Sequence, residues 1–161
     1  MNLLLIGSVF VLAAYSFFAE SVQEDPKQKA QQAVFDDLEK GIKENDAALF
    51  KGRWHADGFE KNLCGGSGLA GNEVFAQGTR KKWFPKPDLT TARVAAEGAV
   101  VIVACQIWAW EKGKAVDKVE LILVKDKDTY FVLGGGEKRA DVDGLVSRWI
   151  KKEPLQAPKK E

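Results

Sequence analysis

The chain has 161 residues, 45% of them hydrophobic, and contains five tryptophans, which suits one domain with a substantial core plus a short targeting segment. Its 24 basic and 23 acidic residues give a formal net charge of +1. That balance argues against a nucleic-acid-binding protein, which normally shows a clustered basic excess. The short basic run at residues 80–82, with Lys86 nearby, is interpreted as a solvated helix face rather than a contact for an anionic surface.

Residues 2–19, NLLLIGSVFVLAAYSFFA, carry no charge. This length suits the apolar region of a signal peptide and is near the lower limit for a membrane span. We predict cleavage after Ser21 and an exported protein, periplasmic or secreted. The alternative is an uncleaved anchor, since no Lys or Arg precedes the run, and membrane association is expected only if residues 2–19 are retained. A buried helix of a cytosolic domain fits less well, because the run is apolar on all faces.

The next segments predict a linker and three helices, and the domain is expected to span residues 28–152. Residues 22–27 are polar and predict the linker, after which an apolar stripe predicts a helix from about Lys27 to Lys43. Asn45 and Asp46 interrupt that helix and can cap a short second one, which Gly52 ends. HADGFEKNL predicts an extended piece with a turn at residues 57–58. The third helix is predicted to begin at an Asn72 cap and to stop before Pro85 and Pro87. The apolar stripe of the first helix consists of Ala30, Val34, Leu38 and Ile42, with Phe35 beside it.

From Leu89 onward, β-branched and aromatic residues predict strands separated by short breaks, which favours an antiparallel meander of four to five strands. Along the longest strand, Val101, Val103 and Cys105 alternate with Ile102 and Ala104. Both faces are therefore apolar, and both need cover. The N-terminal helices can cover one face; an amphipathic helix in ADVDGLVSRWIKK, a partner subunit, or both can cover the other.

The predicted fold class is therefore α+β, with N-terminal helices packed on a curved antiparallel meander and an extra C-terminal amphipathic helix. Residues 153–161 are predicted to be a disordered tail.

Two segments, LEKGIKENDAALFKGRWHADGF and EKGKAVDKVELILVKDKDTYFVLGG, resemble the opening helices and closing strands of the nuclear transport factor 2-like superfamily. This cone-shaped α+β fold includes SnoaL-like polyketide cyclases, ketosteroid isomerase and scytalone dehydratase. The resemblance covers about residues 28–136 and departs from the usual pattern in a glycine-rich loop and in the helix after Gly136. It implies a pocket at the open end of the cone, where enzymes of the group place an Asp, His or Tyr. Other members only bind a ligand or dimerise through the sheet, so the fold does not specify a reaction.

The glycine-rich loop contains a weak nucleotide-binding match. Gly66, Gly68 and Gly71 fit the dinucleotide pattern, but that motif needs a βαβ unit, whereas a meander follows here. A phosphate-binding P-loop is excluded because Asn72 and Glu73 stand where Lys and Ser or Thr are required. We therefore interpret the loop as a bend into the third helix, or alternatively as a mobile flap over a pocket, and we expect no cofactor.

His55 is the single histidine, and Asp57 follows two residues later. In an extended segment the two side chains share a face and could act as a base with its orienting carboxylate. The preferred interpretation is a surface turn in which Asp57 bonds its own backbone. One histidine without suitably spaced cysteine or carboxylate partners predicts no metal site.

Four residues of the central hairpin form a candidate ligand site. Pairing of the strands across residues 112–114 would bring together Trp108, Trp110, Glu111 and Glu120. Two indoles with a carboxylate could hold an aromatic or cationic ligand. Alternate tryptophans on a strand more often belong to a core or an interface.

The two cysteines, Cys64 and Cys105, allow two interpretations. In an exported chain they can form a disulfide. The preferred interpretation is two separate buried thiols, because a chain with an ample core does not need the bridge.

Together these features predict a non-enzymatic ligand-binding or protein-interaction module, with a small apolar ligand and a homodimer through the apolar sheet face. The alternative is a SnoaL-like isomerase, cyclase or hydrolyase working by proton transfer, with His55 or Asp57 as base and Trp108 and Trp110 walling the pocket. A third possibility is a membrane-anchored accessory domain that retains residues 2–19.

Overall fold

A computed structural model describes residues 25–65, 68–82, 84–109 and 114–156. The predicted signal segment, residues 1–21, lies outside the described residues, as do Trp110, Glu111 and the end of the tail. The elements in chain order are α1 (Pro26–Glu44), α2 (Ala47–Lys51), α3 (Ala56–Glu60), β1 (Gly68–Leu69), α4 (Gly71–Lys81), β2 (Lys86–Ala95), a 3₁₀ turn (Ala96–Gly98), β3 (Val100–Ala109), β4 (Lys114–Asp126), β5 (Thr129–Gly136) and α5 (Arg139–Lys151).

The strands form one five-stranded sheet in the order β1-β5-β4-β3-β2, and every neighbouring pair is antiparallel. Strands β2 to β5 are the predicted meander. The two-residue β1 adds a fifth strand, with Leu69 opposite Gly135. The predicted α+β fold class, with helices packed on an antiparallel sheet and a further helix at the C-terminus, is confirmed.

Two core clusters lie on the two faces of the sheet. In the first cluster, Val101, Val103 and Cys105 pack with buried residues of α1, α2 and α4. In the second, Val100 and Ile102 pack with buried residues of α5. Both apolar faces are therefore covered within one chain, because α5 lies over the face that the N-terminal helices leave open.

The ends of α1 and α2 follow from their caps. Helix α1 begins at Pro26, inside the segment predicted as a linker, because the Asp25 carboxylate accepts the Lys27 backbone N–H at 3.0 Å. Asp46 caps α2 as predicted, accepting the Leu49 backbone N–H at 2.9 Å. Gly52 ends α2, also as predicted.

The prediction of an extended piece at HADGFEKNL was wrong, since residues 56–60 form α3. Burial of Phe59 in the first core cluster overrides the local turn preference of Asp57 and Gly58. Gly58 lies so close to β5 that an added Cβ would be 1.9 Å from the Leu133 carbonyl oxygen.

Helix α4 begins at Gly71, with Ala70 as its cap, so Asn72 lies in the first turn and does not cap the helix as predicted. Gly71 packs against the Trp54 ring, where a Cβ would approach to 2.6 Å. This close packing requires a glycine at the start of the helix, and the cap lies two residues earlier than the predicted Asn72.

Part of the predicted tail is anchored to the fold. Leu155 packs against the second core cluster. Arg148 of α5 donates hydrogen bonds to the backbone carbonyls of Leu155, at 3.1 Å, and Leu63, at 2.9 Å. Residues 153–156 therefore extend the cover that α5 gives to the sheet. Among the described residues, no helix has the length and apolar character needed to cross a membrane.

Candidate functional site

A cavity of about 370 Å³ opens between the start of α1 and the outer part of β2, and we call it the α1–β2 cavity. Its volume lies in the range of small-molecule sites, about 300–1,000 Å³. Helix α1 contributes one wall, β2 another, and the 3₁₀ turn closes one end. The lining residues are Asp25, Lys27, Gln28 and Gln31 from α1; Leu89, Thr90, Ala92 and Val94 from β2; and Glu97, Gly98, Val101 and Tyr130 around the turn and floor.

A bulge in β2 shapes this cavity. Between the pairs Asp88–Ala104 and Arg93–Ile102, residues 89–92 of β2 stand opposite a single residue of β3. Bulges interrupt the ladder and bend the strand.

The Asp88 carboxylate holds the bulge together. It accepts hydrogen bonds from the Thr90 backbone N–H, the Thr90 hydroxyl and the Thr91 hydroxyl at 3.1, 2.6 and 3.0 Å. These hydrogen bonds, chiefly those from the threonine hydroxyls, lower the pKa of Asp88 below its usual value. The ionised carboxylate is therefore the form that stabilises this wall of the cavity.

The 3₁₀ turn beside the cavity has an unusual backbone. Ala96, Glu97 and Gly98 have consecutive positive φ angles of 48°, 56° and 92°. Only glycine adopts this region freely, so the alanine and the glutamate each cost of order 1 kcal/mol. The turn is held by the Tyr130 hydroxyl, which donates to the Gly98 carbonyl at 2.9 Å, and by the Ala99 N–H, which donates to the Ala96 carbonyl at 2.9 Å.

Gln31 is a polar residue of α1 whose side chain is largely buried at the cavity wall. Its side chain is 6% exposed and lines the cavity. Among the residues that the structure describes, its amide has no hydrogen-bond partner. Its amide atoms are not fully enclosed, because the buried side-chain polar atoms without a partner in the described part of the chain are Trp54 Nε1 and His55 Nδ1. The Gln31 amide is therefore a polar group on the cavity wall that is open to a ligand.

The mouth of the cavity carries charges of both signs. Asp25, Lys27 and Glu97 line it and are exposed to solvent. With the amide of Gln31 and the phenol of Tyr130, these groups can orient a ligand by hydrogen bonds while the β2 wall contacts its apolar part.

His55 and Asp57 do not form a hydrogen-bonded pair. The distance from His55 Nδ1 to Asp57 Oδ2 is 4.0 Å, which is too long for a hydrogen bond. The Asp57 side chain is 57% exposed. The His55 ring instead packs edge-on against Trp149, with centroids 5.4 Å apart. Neither residue lines the α1–β2 cavity.

The register separates Trp108 from Glu120. The strands pair across residues 112–114 as predicted, since Ala109 is opposite Lys114. Trp108, however, is opposite Ala115, whereas Glu120 is opposite Ala104. The two positions are therefore about 13 Å apart along the sheet, at about 3.3 Å per residue.

Glu120 is also engaged in an ion-pair network on the face that α5 covers. Arg93 Nη2 donates to both of its carboxylate oxygens, at 3.0 and 2.9 Å. Arg93 Nη1 donates to Asp143 of α5 at 2.9 Å. The network links β2, β4 and α5, so Glu120 has a structural partner within the chain and does not line the α1–β2 cavity.

Both cysteines are free thiols, and both are buried. Cys105 belongs to the first core cluster and Cys64 to the second, on the opposite face of the sheet. Burial raises the pKa of each thiol to about 12, so neither is a nucleophile near neutral pH. The preferred prediction of two separate buried thiols is confirmed.

The glycine-rich loop leads into an edge strand and a helix. Gly68 lies in β1, antiparallel to β5, and Gly71 starts α4. Gly66 lies outside the described residues. An antiparallel edge strand does not provide the parallel βαβ unit that the dinucleotide pattern requires.

Sequence reasoning missed Gln31 and Tyr130 as site residues. Gln31 falls on the apolar stripe of α1, one helical turn before Val34 and Phe35. A polar residue at a core-facing position was the available signal. Tyr130 gave no such signal, since tyrosine is common in strands.

No group of three or more His, Cys, Asp or Glu side chains that could hold a metal ion occurs in the described part of the chain. Comparison of the whole sequence and the structure with protein-family models, curated proteins and solved structures gives no match.

Proposed function

We propose that this protein is a non-enzymatic, exported module that binds a small, largely apolar ligand in the α1–β2 cavity. The observation that carries the proposal is the cavity of about 370 Å³, whose wall combines apolar residues of β2 with the Gln31 amide, which no described residue hydrogen-bonds. A ligand with one hydrogen-bonding group can bind this amide while its apolar part contacts β2.

The strained turn supports the same proposal. Left-handed alanine and glutamate residues persist only where the surrounding structure holds them, and such residues cluster at ligand sites. The resemblance to the nuclear transport factor 2-like superfamily implies a pocket at the open end of the cone, and we propose the α1–β2 cavity as that pocket. Membership of that superfamily is part of the proposal.

A ligand screen with matched variants tests the function. Small apolar compounds with one hydrogen-bonding group are screened by ligand-observed NMR against the wild-type chain. We expect Gln31→Leu to weaken the binding of hits by about 5- to 10-fold, the equivalent of one hydrogen bond. Gln32→Leu on the exposed side of the same helix, where Gln32 bonds Asp36, serves as the control. Hits that bind the Gln31→Leu and wild-type chains equally would contradict the proposal, as would an absence of hits.

Self-association through a sheet face stays a separate prediction. The face that motivated it is covered by α5 within one chain. Sedimentation of the purified protein tests it, and a monomer at high concentration would contradict a homodimer. Mass analysis of the native N-terminus distinguishes a cleaved signal peptide from a retained anchor.

A further inference from the structure

Another cavity, of about 390 Å³, opens at the carboxyl end of α5, and we call it the α5 groove. It is lined by Trp149, Lys152, Glu153 and Leu155. Trp149 and Leu155 are half-buried and make the groove largely apolar, whereas Lys152 and Glu153 are exposed. A solvent-open apolar groove beside charged side chains is typical of a protein interaction site.

The α5 groove is held in shape by contacts within the chain. The backbone N–H of Lys152 donates to the Trp149 carbonyl at 3.1 Å and ends the helix. Arg148 donates to the Leu155 carbonyl at 3.1 Å and so holds the segment after the helix in place. The His55 ring packs edge-on against the Trp149 indole, with centroids 5.4 Å apart. Because the indole is fixed before a partner binds, binding costs less conformational entropy.

The charges beside the groove select a partner that carries both signs. Lys152 and Glu153 are neighbours in sequence, and neither side chain makes an ion pair among the described residues. A partner of one sign would be attracted to one of them and repelled by the other. A second copy related by a two-fold axis presents the same two charges in the reverse order, so each Lys152 can face Glu153 of the partner subunit.

The apolar surface at this end of α5 also fits a second copy. Ile150 follows Trp149 in the helix, and its side chain is 48% exposed; the other exposed large hydrophobic residue of the described chain is Val94. Contact between Ile150 of one copy and the groove of the other removes both apolar surfaces from water. Tryptophan residues such as Trp149 are frequent energetic centres of interfaces. Both sheet faces are covered by helices, so a homodimer needs a surface of this kind.

We propose that the α5 groove is the interface of a two-fold symmetric dimer, occupied by a second copy of this chain. Ile150 of each copy lies in the groove of the other, and Lys152 pairs with Glu153 of the partner subunit. The α1–β2 cavity lies against the opposite face of the sheet, so both cavities of the dimer remain open to ligand. The groove is small, and the dimer is therefore of the weak, transient kind.

Exchange of the two charges tests the pairing. Sedimentation equilibrium is measured from about 10 μM to 1 mM, the range that suits a weak dimer, on the chain from residue 22 onward, which contains both core clusters. Lys152→Glu and Glu153→Lys should each weaken the dimer about 10-fold or more, because each variant places like charges together at two symmetric contacts. The double variant has both charges exchanged and should return to within about 3-fold of the wild-type Kd. Lys40→Glu on the exposed side of α1 controls for the change in net charge.

Two further measurements locate the interface on α5. His55 is the single histidine, so its imidazole signals are readily identified by NMR, and its ring contacts the indole that lines the groove. These signals should shift with protein concentration in step with the dimer fraction. Ile150→Asp should weaken the dimer about 10-fold or more, since it places a charge in the partner's apolar groove. Val94→Asp, at the other exposed large hydrophobic residue, should leave the Kd unchanged.

A monomer at the highest concentration would overturn the dimer itself. A dimer that Val94→Asp weakens and Ile150→Asp does not would overturn its placement on α5. A double charge variant as weak as either single variant would overturn the pairing of Lys152 with Glu153. None of these results bears on the ligand screen, because the proposed ligand lies on the other side of the sheet.

Discussion

The Tyr130 hydroxyl donates a hydrogen bond to the Gly98 carbonyl oxygen at 2.9 Å, joining β5 to the strained turn between β2 and β3. Because three consecutive residues of that turn have positive φ, the turn depends on contacts outside itself. This hydrogen bond therefore stabilises one end of the α1–β2 cavity.

Tyr130→Phe removes this hydrogen bond and keeps the buried ring. We expect the free energy of unfolding to fall by about 1 kcal/mol, the usual contribution of one neutral hydrogen bond. The Ala99 amide, which bonds the Ala96 carbonyl within the turn, should exchange its hydrogen faster. Urea denaturation and hydrogen exchange measure the two effects. Unchanged exchange at Ala99 would show that the turn does not depend on Tyr130.

The ion-pair network of Arg93 predicts that substitutions of its two acidic partners lower the free energy of unfolding by unequal amounts. Glu120 is mostly buried and binds Arg93 through both oxygens, so Glu120→Gln should cost about 1–2 kcal/mol. The Asp143 side chain is 48% exposed, and Asp143→Asn should cost less than about 1 kcal/mol. Urea denaturation at low and high salt compares them, with the Asp143 effect shrinking more as salt rises. Equal losses at both salt concentrations would contradict this account.

Two glycines in helices provide a matched pair of alanine substitutions. At Gly58 the new Cβ would be 1.9 Å from the Leu133 carbonyl oxygen, so Gly58→Ala should destabilise the fold by about 1–3 kcal/mol or more. At Gly144 of α5 the nearest atom is 3.6 Å away, in the Arg148 side chain. Gly144→Ala should therefore stabilise the protein by up to about 1 kcal/mol, from helix propensity alone. Thermal unfolding should show a lower melting temperature for Gly58→Ala and a higher one for Gly144→Ala.

The cover that α5 provides predicts the cost of truncating its buried face. Leu145 is fully buried in the second core cluster, so Leu145→Ala should lose about 2–5 kcal/mol. Ile150→Ala on the same helix is the control, with an expected loss below about 1 kcal/mol because that side chain is half exposed. A small effect at Leu145 would mean that something other than α5 covers the sheet.

The buried thiols predict slow labelling and a loss of stability at high pH. With thiol pKa values raised to about 12, the thiolate is roughly a thousandfold rarer near pH 8 than for a thiol of pKa 9.0. Labelling by a thiol reagent should therefore be slow in the folded protein. Unfolding should make two thiols reactive.

The sign of the pH dependence follows from the same shift. Because folding raises the pKa of Cys64 and Cys105, their contribution to stability is complete below pH 9 and declines as the pH rises towards 12. Urea denaturation at pH 8 and pH 10 measures this decline. Fast labelling of either thiol in the folded state would contradict the burial of that residue.

Sequence patterns predicted the sheet well because the relevant information is local. Alternation of apolar residues from Val101 to Cys105 was enough to infer two apolar faces. The covering role of α5 followed from the amphipathic pattern of its segment. Caps such as Asp46 were also predicted, since a capping side chain acts within three residues of itself.

The candidate site was not predictable in the same way because it depends on distant pairings. The β2 bulge is defined by its register with β3, and Arg93 reaches Glu120 across 27 positions of sequence. The turn preference of Asp57 and Gly58 was overridden by the burial of Phe59. Gln31 becomes notable only when the structure shows that its side chain lies on the wall of a cavity.

The anchoring of Leu155 by Arg148 has a practical consequence for handling the molecule. Leu155 packs over the sheet face that α5 covers, whereas the α1–β2 cavity is lined by Val101 and Tyr130 of the opposite face. An affinity tag or surface coupling added after Gln156 would attach the protein to a support through the face opposite the cavity. The cavity mouth would then point away from the support, which suits immobilised assays better than coupling through the amino end.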